Sequence, residues 1–471
     1  MKKRVWGFFC PVFLLFTILV GTVSASSPVD YEPENSEQKT DYVNPVADIS
    51  LYATAAVLLD ADSGRVLYGK NADIPMAMAS TTKIMTCIQV LEHVSLDETL
   101  TVSAYAASMP QVKLNIRKGE EYTVRDLMYS LMLESHNDSA VALAEHVGRS
   151  LLSGELGDKP VSEYTAKESQ QAVAAFAGLM NAKAAELDCE NTWFITPNGL
   201  DATEEVVMPD GSIVQKEHCT TAAELARIMA YCIGESEKSE EFLAITRTPN
   251  YSFYANGRSF SCTNHNAFLT MMDGAISGKT GFTNKAGYCY VGALESEGRT
   301  FIVALLACGW PNNKNYKWSD TRELMEYGIE NYFFRSFEEE GVIFDENRLK
   351  PILVSGGQTD ILGDAAYTSL EIVGRGESAG DDGNVGSSGL DSDTELLKTD
   401  RLLLRPDEQI LVTYTVKGKL NAPVESGTQV GTIEYSVNGT VYRREVIVTV
   451  DTVERIDLRW CVEQVIERFL L

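Results

Sequence analysis

Residues 287–308, GYCYVGALESEGRTFIVALLAC, constrain the fold more than any other stretch. Two apolar runs rich in aromatic and β-branched residues flank Ser296-Glu297-Gly298. That pattern predicts a β-hairpin. A second pair of β runs lies far upstream in YATAAVLLDADSGRVLYGKN (52–71), around a turn at Asp60–Gly64. The chain between the two pairs reads as helical. After Ser80 the apolar residues Ile84, Met85, Ile88 and Leu91 recur at helical spacing. TVRDLMYSLMLESHNDSAVALAEHVG (123–148) is helical material broken near Ser135–Asp138, and FAGLMNAKAAEL (176–187) is amphipathic. TTAAELARIMAYCI (220–233) is a further helix, with Thr220 or Thr221 as its N-cap. TRELMEYGIENYFFRSF (321–337) predicts a long helix that returns across the hairpin. Strands, then helices, then a hairpin and a last helix make an α/β domain around an antiparallel sheet, at residues 51–337.

Beyond residue 338 short β runs dominate: TSLEIVG, QILVTYTVKG and TQVGTIEYSVNGTVYRREVIVTV. Asn438-Gly439 between alternating runs is a strong hairpin turn. Residues 338–450 therefore read as a small all-β domain, with a flexible Gly/Ser/Asp-rich insertion at 374–395. The tail, 451–471, carries an amphipathic helix whose apolar face is Trp460, Val462, Val465, Ile466, Phe469 and Leu470. It reads either as a peripheral membrane anchor or as a helix docked on the β domain.

The start of the chain has Lys2, Lys3 and Arg4, an apolar run from Val5 to Val20, and Val23-Ser24-Ala25. This is the pattern of a secretory signal peptide, 1–25, cleaved near Ala25, the alternative being an uncleaved anchor. Residues 26–50 are polar and Pro-bearing and read as a disordered spacer. The expected location is secreted and extracytoplasmic, at the cell wall or the outer face of the cytoplasmic membrane. A formal net charge of −27 argues against a nucleic-acid partner. Of nine cysteines, eight lie beyond the leader with scattered spacing and no CxxC, so mostly buried free thiols are expected. The five histidines show no metal-binding spacing, and no metal or cofactor is implied.

The chemistry centres on MAMASTTKIMT (76–86). An unassisted serine hydroxyl is a poor nucleophile and needs a base. On a helix Lys83 lies beside Ser80, one turn on. A lysine amine accepts a proton only when neutral, and burial or a second cation pushes its pKa down. Free N–H groups at the helix start can hold an oxyanion. Alone the signal is weak: Ser-x-x-Lys arises by chance about once or twice in a chain this long, and a Ser N-cap with a solvated Lys is then the better explanation. Two further motifs change the balance. Ser135-His136-Asn137 puts a hydroxyl and a carboxamide on a helix break. Lys279-Thr280-Gly281 puts a cation, a hydroxyl and a residue that admits a close backbone just before the hairpin.

The three motifs together resemble those of the penicillin-recognising serine enzymes. The flanks ASTTKIMT, LMLESHNDSAVALAEHVG, FAGLMNAKAAEL…TWFITPNGLD, HCTTAAELARIM and ISGKTGFTNKAGYCYVGAL are similar to the low-molecular-weight penicillin-binding proteins, the serine D-alanyl-D-alanine carboxypeptidases. The resemblance spans about 50–335 and continues more loosely into LNAPVESGTQVGTIEY. It implies a β-lactamase/transpeptidase-like domain followed by a small all-β domain. It implies that Ser80 is acylated by the penultimate D-Ala of a peptidoglycan stem pentapeptide, with Lys83 as base and Ser135 as proton relay. Asn137 would bind a substrate amide, and Lys279 and Thr280 the terminal carboxylate. Gly281 would admit the substrate backbone, and the N–H groups of Ser80 and Phe282 would form the oxyanion hole. A β-lactam antibiotic would trap Ser80 as an ester.

The chain departs from the family in two places. Met78-Ala79 replaces Pro-Ala, and His136 replaces Gly, read as an outward-facing side chain of little effect. Segments 151–171 and 203–217 are longer than typical. The alternative on the same site is a D,D-endopeptidase or transpeptidase. A class A β-lactamase needs a Glu-x-x-Leu-Asn segment that is not found, and a silent wall-binding protein would show a damaged motif.

Overall fold

The computed structural model describes residues 49–207, 211–361, 363–373 and 401–469. The leader at 1–25, nearly all of the spacer and the insertion at 374–395 lie outside the described residues.

The main sheet has five strands: β1 (Ala55–Asp60), β2 (Val66–Lys70), β3 (Ala275–Thr283), β4 (Gly287–Ser296) and β5 (Arg299–Leu306). Their order is β2-β1-β5-β4-β3, antiparallel throughout. The β4–β5 turn is Glu297-Gly298, both with positive φ, the two-residue loop whose twist matches its flanking strands. Strand β5 is buried on both faces. Ile302, Ala304 and Leu306 enter one core, and Phe301, Val303 and Leu305 enter the other. A strand covered on both faces needs a continuous apolar run rather than alternation, which is what residues 301–306 supply.

The first core holds α1 (Lys83–His93), α2 (Val124–Leu133), α3 (Asn137–Ser150), α4 (Ala166–Glu186) and α5 (Ala222–Ala230). Residues 83–91 of α1 are all buried, as in a helix surrounded by protein. Thr221 caps α5, its side chain accepting from Glu224 N. Helix α4 starts ten residues earlier than its apolar pattern indicates, at a capping box formed by Thr165 and Glu168. The other face of the sheet carries α6 (Tyr316–Asn331). It begins before Thr321 and does not reach Phe337 as expected. Tyr332 ends it, buried, with its hydroxyl donating to Leu67 O at 2.6 Å. Phe333–Ser336 then forms a strand antiparallel to Arg401–Leu404.

Residues beyond 336 build a three-stranded sheet (366–368, 352–355, 419–421) and a four-stranded one (370–373, 440–449, 429–437, 411–416) around a separate core. Asn438-Gly439, both at positive φ, turns the longest hairpin. Strand 401–404 joins the cores: Leu403 enters that of the main sheet, and Leu402 and Leu404 that of the β region. Beside it the buried Arg65 guanidinium donates to Leu403 O and Glu408. In the tail helix α7 (Leu458–Phe469) the apolar side chains of Leu458, Val462, Val465 and Ile466 are exposed. Among the described residues no helix is long and apolar enough to cross a membrane. The eight cysteines at 87–461 are free, six of them buried.

Candidate active site

Ser80 sits in a tight 3₁₀ turn, Ala79–Thr82, and α1 proper starts at Lys83. Ala79 takes φ +50, an uncommon conformation for a residue with a Cβ. Gly199 backs directly onto this turn: a Cβ there would lie 2.0 Å from Ala79 O. Strand β3 closes the other side, since a Cβ on Gly281 would lie 2.8 Å from Ser80 N. Gly281 is thus the residue that lets the edge strand reach the serine turn.

Lys83 is 0% exposed. Its Nζ lies 2.9 Å from Ser80 Oγ and 3.1 Å from Asn137 Oδ1, and donates to Asn198 O. Burial, and second the charge of Lys279, hold its pKa well below the usual lysine range. Among the described residues no carboxylate partners its Nζ, so no opposite charge counters that shift.

The break between α2 and α3 brings in the second motif. Ser135 stands at φ +64, a left-handed residue that reverses the chain between two helices. Its Oγ accepts from Lys279 Nζ at 3.0 Å. Asn137 opens α3, and its Nδ2 donates to Pro110 O and Gln111 O at 3.3 and 3.2 Å. Both ends of the Asn137 amide therefore have partners within the protein. His136 does not point outward. Its Nδ1 lies 2.8 Å from Ser130 Oγ, which in turn lies 2.8 Å from Ser139 Oγ. The ring is tied into the α2–α3 pair, and burial lowers its pKa.

Lys279, on β3, is nearly fully buried and also donates to Thr280 O at 2.8 Å. Burial pushes its pKa down to about 7. Thr280 and Phe282 follow on the same edge strand, and the Phe282 ring leans on Tyr288 with centroids 4.7 Å apart. The structure thus brings Ser80, Lys83, Ser135, Asn137, Lys279 and Gly281 together at one place. Among the described residues no group of His, Cys, Asp and Glu could hold a metal ion.

Sequence reasoning missed three contributors. Asn198 acts through its backbone carbonyl, which accepts from Lys83 Nζ and from Ser80 Oγ at 3.4 Å. Asp138 accepts from the N–H groups of Leu114, Asn115 and Ile116 at 2.9, 2.8 and 3.2 Å, which holds the loop that partners Asn137. His218 lies 2.8 Å from Thr82 Oγ1 beneath the serine turn. Within 203–217, strands 203–207 and 213–217 pair antiparallel, and Glu217 forms an ion pair at 2.7 Å with Lys285, just beyond β3.

Comparison with known proteins agrees with this geometry. A family model described as D-alanyl-D-alanine carboxypeptidase, peptidase family S11, matches residues 40–152 and 166–308. The model of the C-terminal domain of penicillin-binding protein 5 matches 406–455. The D-alanyl-D-alanine carboxypeptidase DacF of Bacillus subtilis is 27% identical over 326 residues, 68% of this chain and 71% of the relative. A D-alanyl-D-alanine endopeptidase of Pseudomonas aeruginosa is 28% identical over 248 residues, 51% of this chain and 66% of the relative. The crystal structure of the carboxypeptidase DacD of Francisella tularensis shares the fold, with TM-score 0.56 and 20% identity over 87% of this chain and 95% of that one. With its serine, its buried lysines and more than half of its length matched by the first model, the chain belongs to the D-alanyl-D-alanine carboxypeptidase family of serine peptidases.

Proposed function

We propose that the chain removes the terminal D-Ala from peptidoglycan stem pentapeptides through an acyl-enzyme on Ser80. One observation carries this reading: a buried lysine with no carboxylate partner lies 2.9 Å from the serine hydroxyl. Neutral Lys83 takes the Ser80 proton as Oγ attacks the carbonyl carbon of the penultimate D-Ala. The N–H groups of Ser80 and Phe282 receive the oxyanion. Ser135 passes a proton to the leaving D-Ala amine as the C–N bond breaks. Lys279 and Thr280 hold the terminal carboxylate, and Asn137 bonds a substrate amide while steadying Lys83. Water then hydrolyses the ester. A β-lactam follows the same first step and leaves a slow ester. On this reading the signal-peptide-like segment 1–25 directs the activity outside the cytoplasmic membrane, and the exposed apolar residues of α7 make a peripheral membrane contact.

The test is to incubate the mature protein with a muramyl pentapeptide ending in D-Ala-D-Ala and measure free D-Ala. Release that Ser80→Ala abolishes supports the reading. A relative named as an endopeptidase favours one second reading, cleavage of cross-linked stems from the same site. A penicillin adduct on Ser80 without D-Ala release would favour that reading, and the absence of an adduct would refute both.

A further inference from the structure

A chain of hydrogen bonds with a fixed direction ends at the Ser80 peptide. It begins at His218, 3% exposed under the serine turn. His218 Nδ1 lies 3.0 Å from Ile195 N and 3.4 Å from Thr196 N. Backbone N–H groups only donate, so Nδ1 accepts and carries no proton. Burial first, and the charge of Lys83 second, push the ring's pKa down to about 3, so the imidazole is neutral and its one proton is on Nε2. Nε2–H therefore donates to Thr82 Oγ1 at 2.8 Å. The Thr82 hydroxyl in turn donates to Ala79 O at 2.8 Å.

Ala79 C=O and Ser80 N–H are the two ends of one peptide unit, and in a trans peptide they point in opposite directions. Fixing the carbonyl aims the N–H. The surroundings leave that unit little freedom. Ala79 is at φ +50, Gly199 closes on the carbonyl and Gly281 on the nitrogen. Hydrogen bonds in series also polarise one another, so a carbonyl that accepts a strengthened bond makes its own N–H a better donor.

We propose that His218 and Thr82 are positioning residues for the oxyanion hole, orienting and polarising the Ala79–Ser80 peptide whose N–H receives the developing charge. Neither touches the substrate, and no proton is transferred along the series. The inference rests on the reading of Ser80 as the nucleophile. It extends that reading to two side chains whose own chemistry is never used in the reaction.

The ester carbonyl of a β-lactam acyl-enzyme sits in the oxyanion hole, and its infrared stretch reports how strongly it is hydrogen-bonded. Thr82→Val keeps the shape and deletes the hydroxyl. The band then moves to higher wavenumber and acylation slows by about tenfold, a fraction of the loss expected when an oxyanion donor is removed outright. Thr82→Ser keeps the hydroxyl and deletes the methyl, and leaves band and rate as in the wild type. His218→Asn keeps an acceptor for the backbone N–H groups but cannot reach Thr82, and shifts the band the same way by less. Should Thr82→Val fail to fold, Thr82→Ala makes the same deletion with less bulk. An unmoved band in the hydroxyl-deleted chain or in His218→Asn overturns the proposal. So does a Thr82→Ser chain as impaired as Thr82→Val, since packing would then explain both. A wild-type chain that forms no ester on Ser80 refutes the site itself and the relay with it. An ester indifferent to both changes refutes the relay alone.

Discussion

Replacing Gly281 by Ala tests how closely β3 must approach the serine turn. An added Cβ would lie 2.8 Å from Ser80 N, 3.0 Å from Thr81 N and 3.1 Å from Ala79 Cβ. Ordinary contact begins at 3.4 Å, so the closest of these is about 0.6 Å short. The first two opposing atoms are backbone and cannot swing aside. The Ala79–Thr82 turn is held by hydroxyl bonds from Thr81 to Met78 O and from Thr82 to Ala79 O. Strand β3 is an edge strand, paired only with β4, so the strand is what yields. It carries Lys279 and Phe282 with it, which moves the proposed carboxylate clamp and one proposed oxyanion donor off the nucleophile. A misplacement near 1 Å costs about 10²-fold in rate, so a shift of about 0.6 Å predicts a loss of roughly 10- to 30-fold in acylation by benzylpenicillin. The same crowding costs about 1 to 3 kcal/mol of stability. Stopped-flow acylation and thermal unfolding measure the two effects separately. A Gly281→Ala chain acylated at the wild-type rate would refute the claim that this contact sets the site's geometry.

Three further outcomes follow from buried charge. Lys279→Gln removes the second cause that depresses Lys83, so Lys83 keeps its proton to higher pH and the acid limb of the acylation profile moves up; a limb that stays or moves down contradicts the coupling. Glu145, fully buried on α3, has its pKa raised from 4.5 to about 7 by burial. The folded state then holds a proton that the unfolded chain has released, so stability falls by roughly 3 kcal/mol as pH rises across that interval. Glu145→Gln flattens this slope in urea unfolding compared at about pH 5 and about pH 8. Glu408→Gln leaves Arg65 buried without its counter-charge, and predicts a loss of about 3 to 5 kcal/mol that replacing both residues by apolar ones largely restores.

Legibility in the sequence followed the range of the interaction. The β4–β5 hairpin was readable because Glu297-Gly298 supplies the two positive-φ residues of its turn within four positions. Ser80 and Lys83 were readable because a three-residue spacing puts them together on any helical turn. Lys279 was readable only as part of a three-motif pattern, since nothing local predicts that its amine lies 3.0 Å from Ser135 across 144 positions. Asn198 was not readable at all: its contribution is a backbone carbonyl, which every residue has. His218 carried no local signal, because its partners, Thr82 and the 195–196 amides, are brought to it by the fold. The strand at 333–336 was read as helix because its alternation is short and its partner, 401–404, is some seventy residues away. The inward turn of His136 was missed because a ring with two nitrogens fits a solvent-facing or a Ser130-bonded position equally until the helix pair is built.

The two site lysines are depressed by different sets of causes. Lys279 is depressed by burial alone, to about 7, whereas Lys83 is depressed by burial and by Lys279 as well. Burial disfavours a proton on either amine, and a charge on Lys279 makes one harder still to place on Lys83. A substrate carboxylate arriving at Lys279 raises the affinity of that amine for its proton and offsets its field at Lys83. Lys83 then becomes the stronger base at the moment a substrate is in place. A β-lactam carboxylate does the same. An otherwise matched ligand lacking the carboxylate should therefore lose acylation rate as well as affinity, a loss in rate that a simple clamp at Lys279 does not produce.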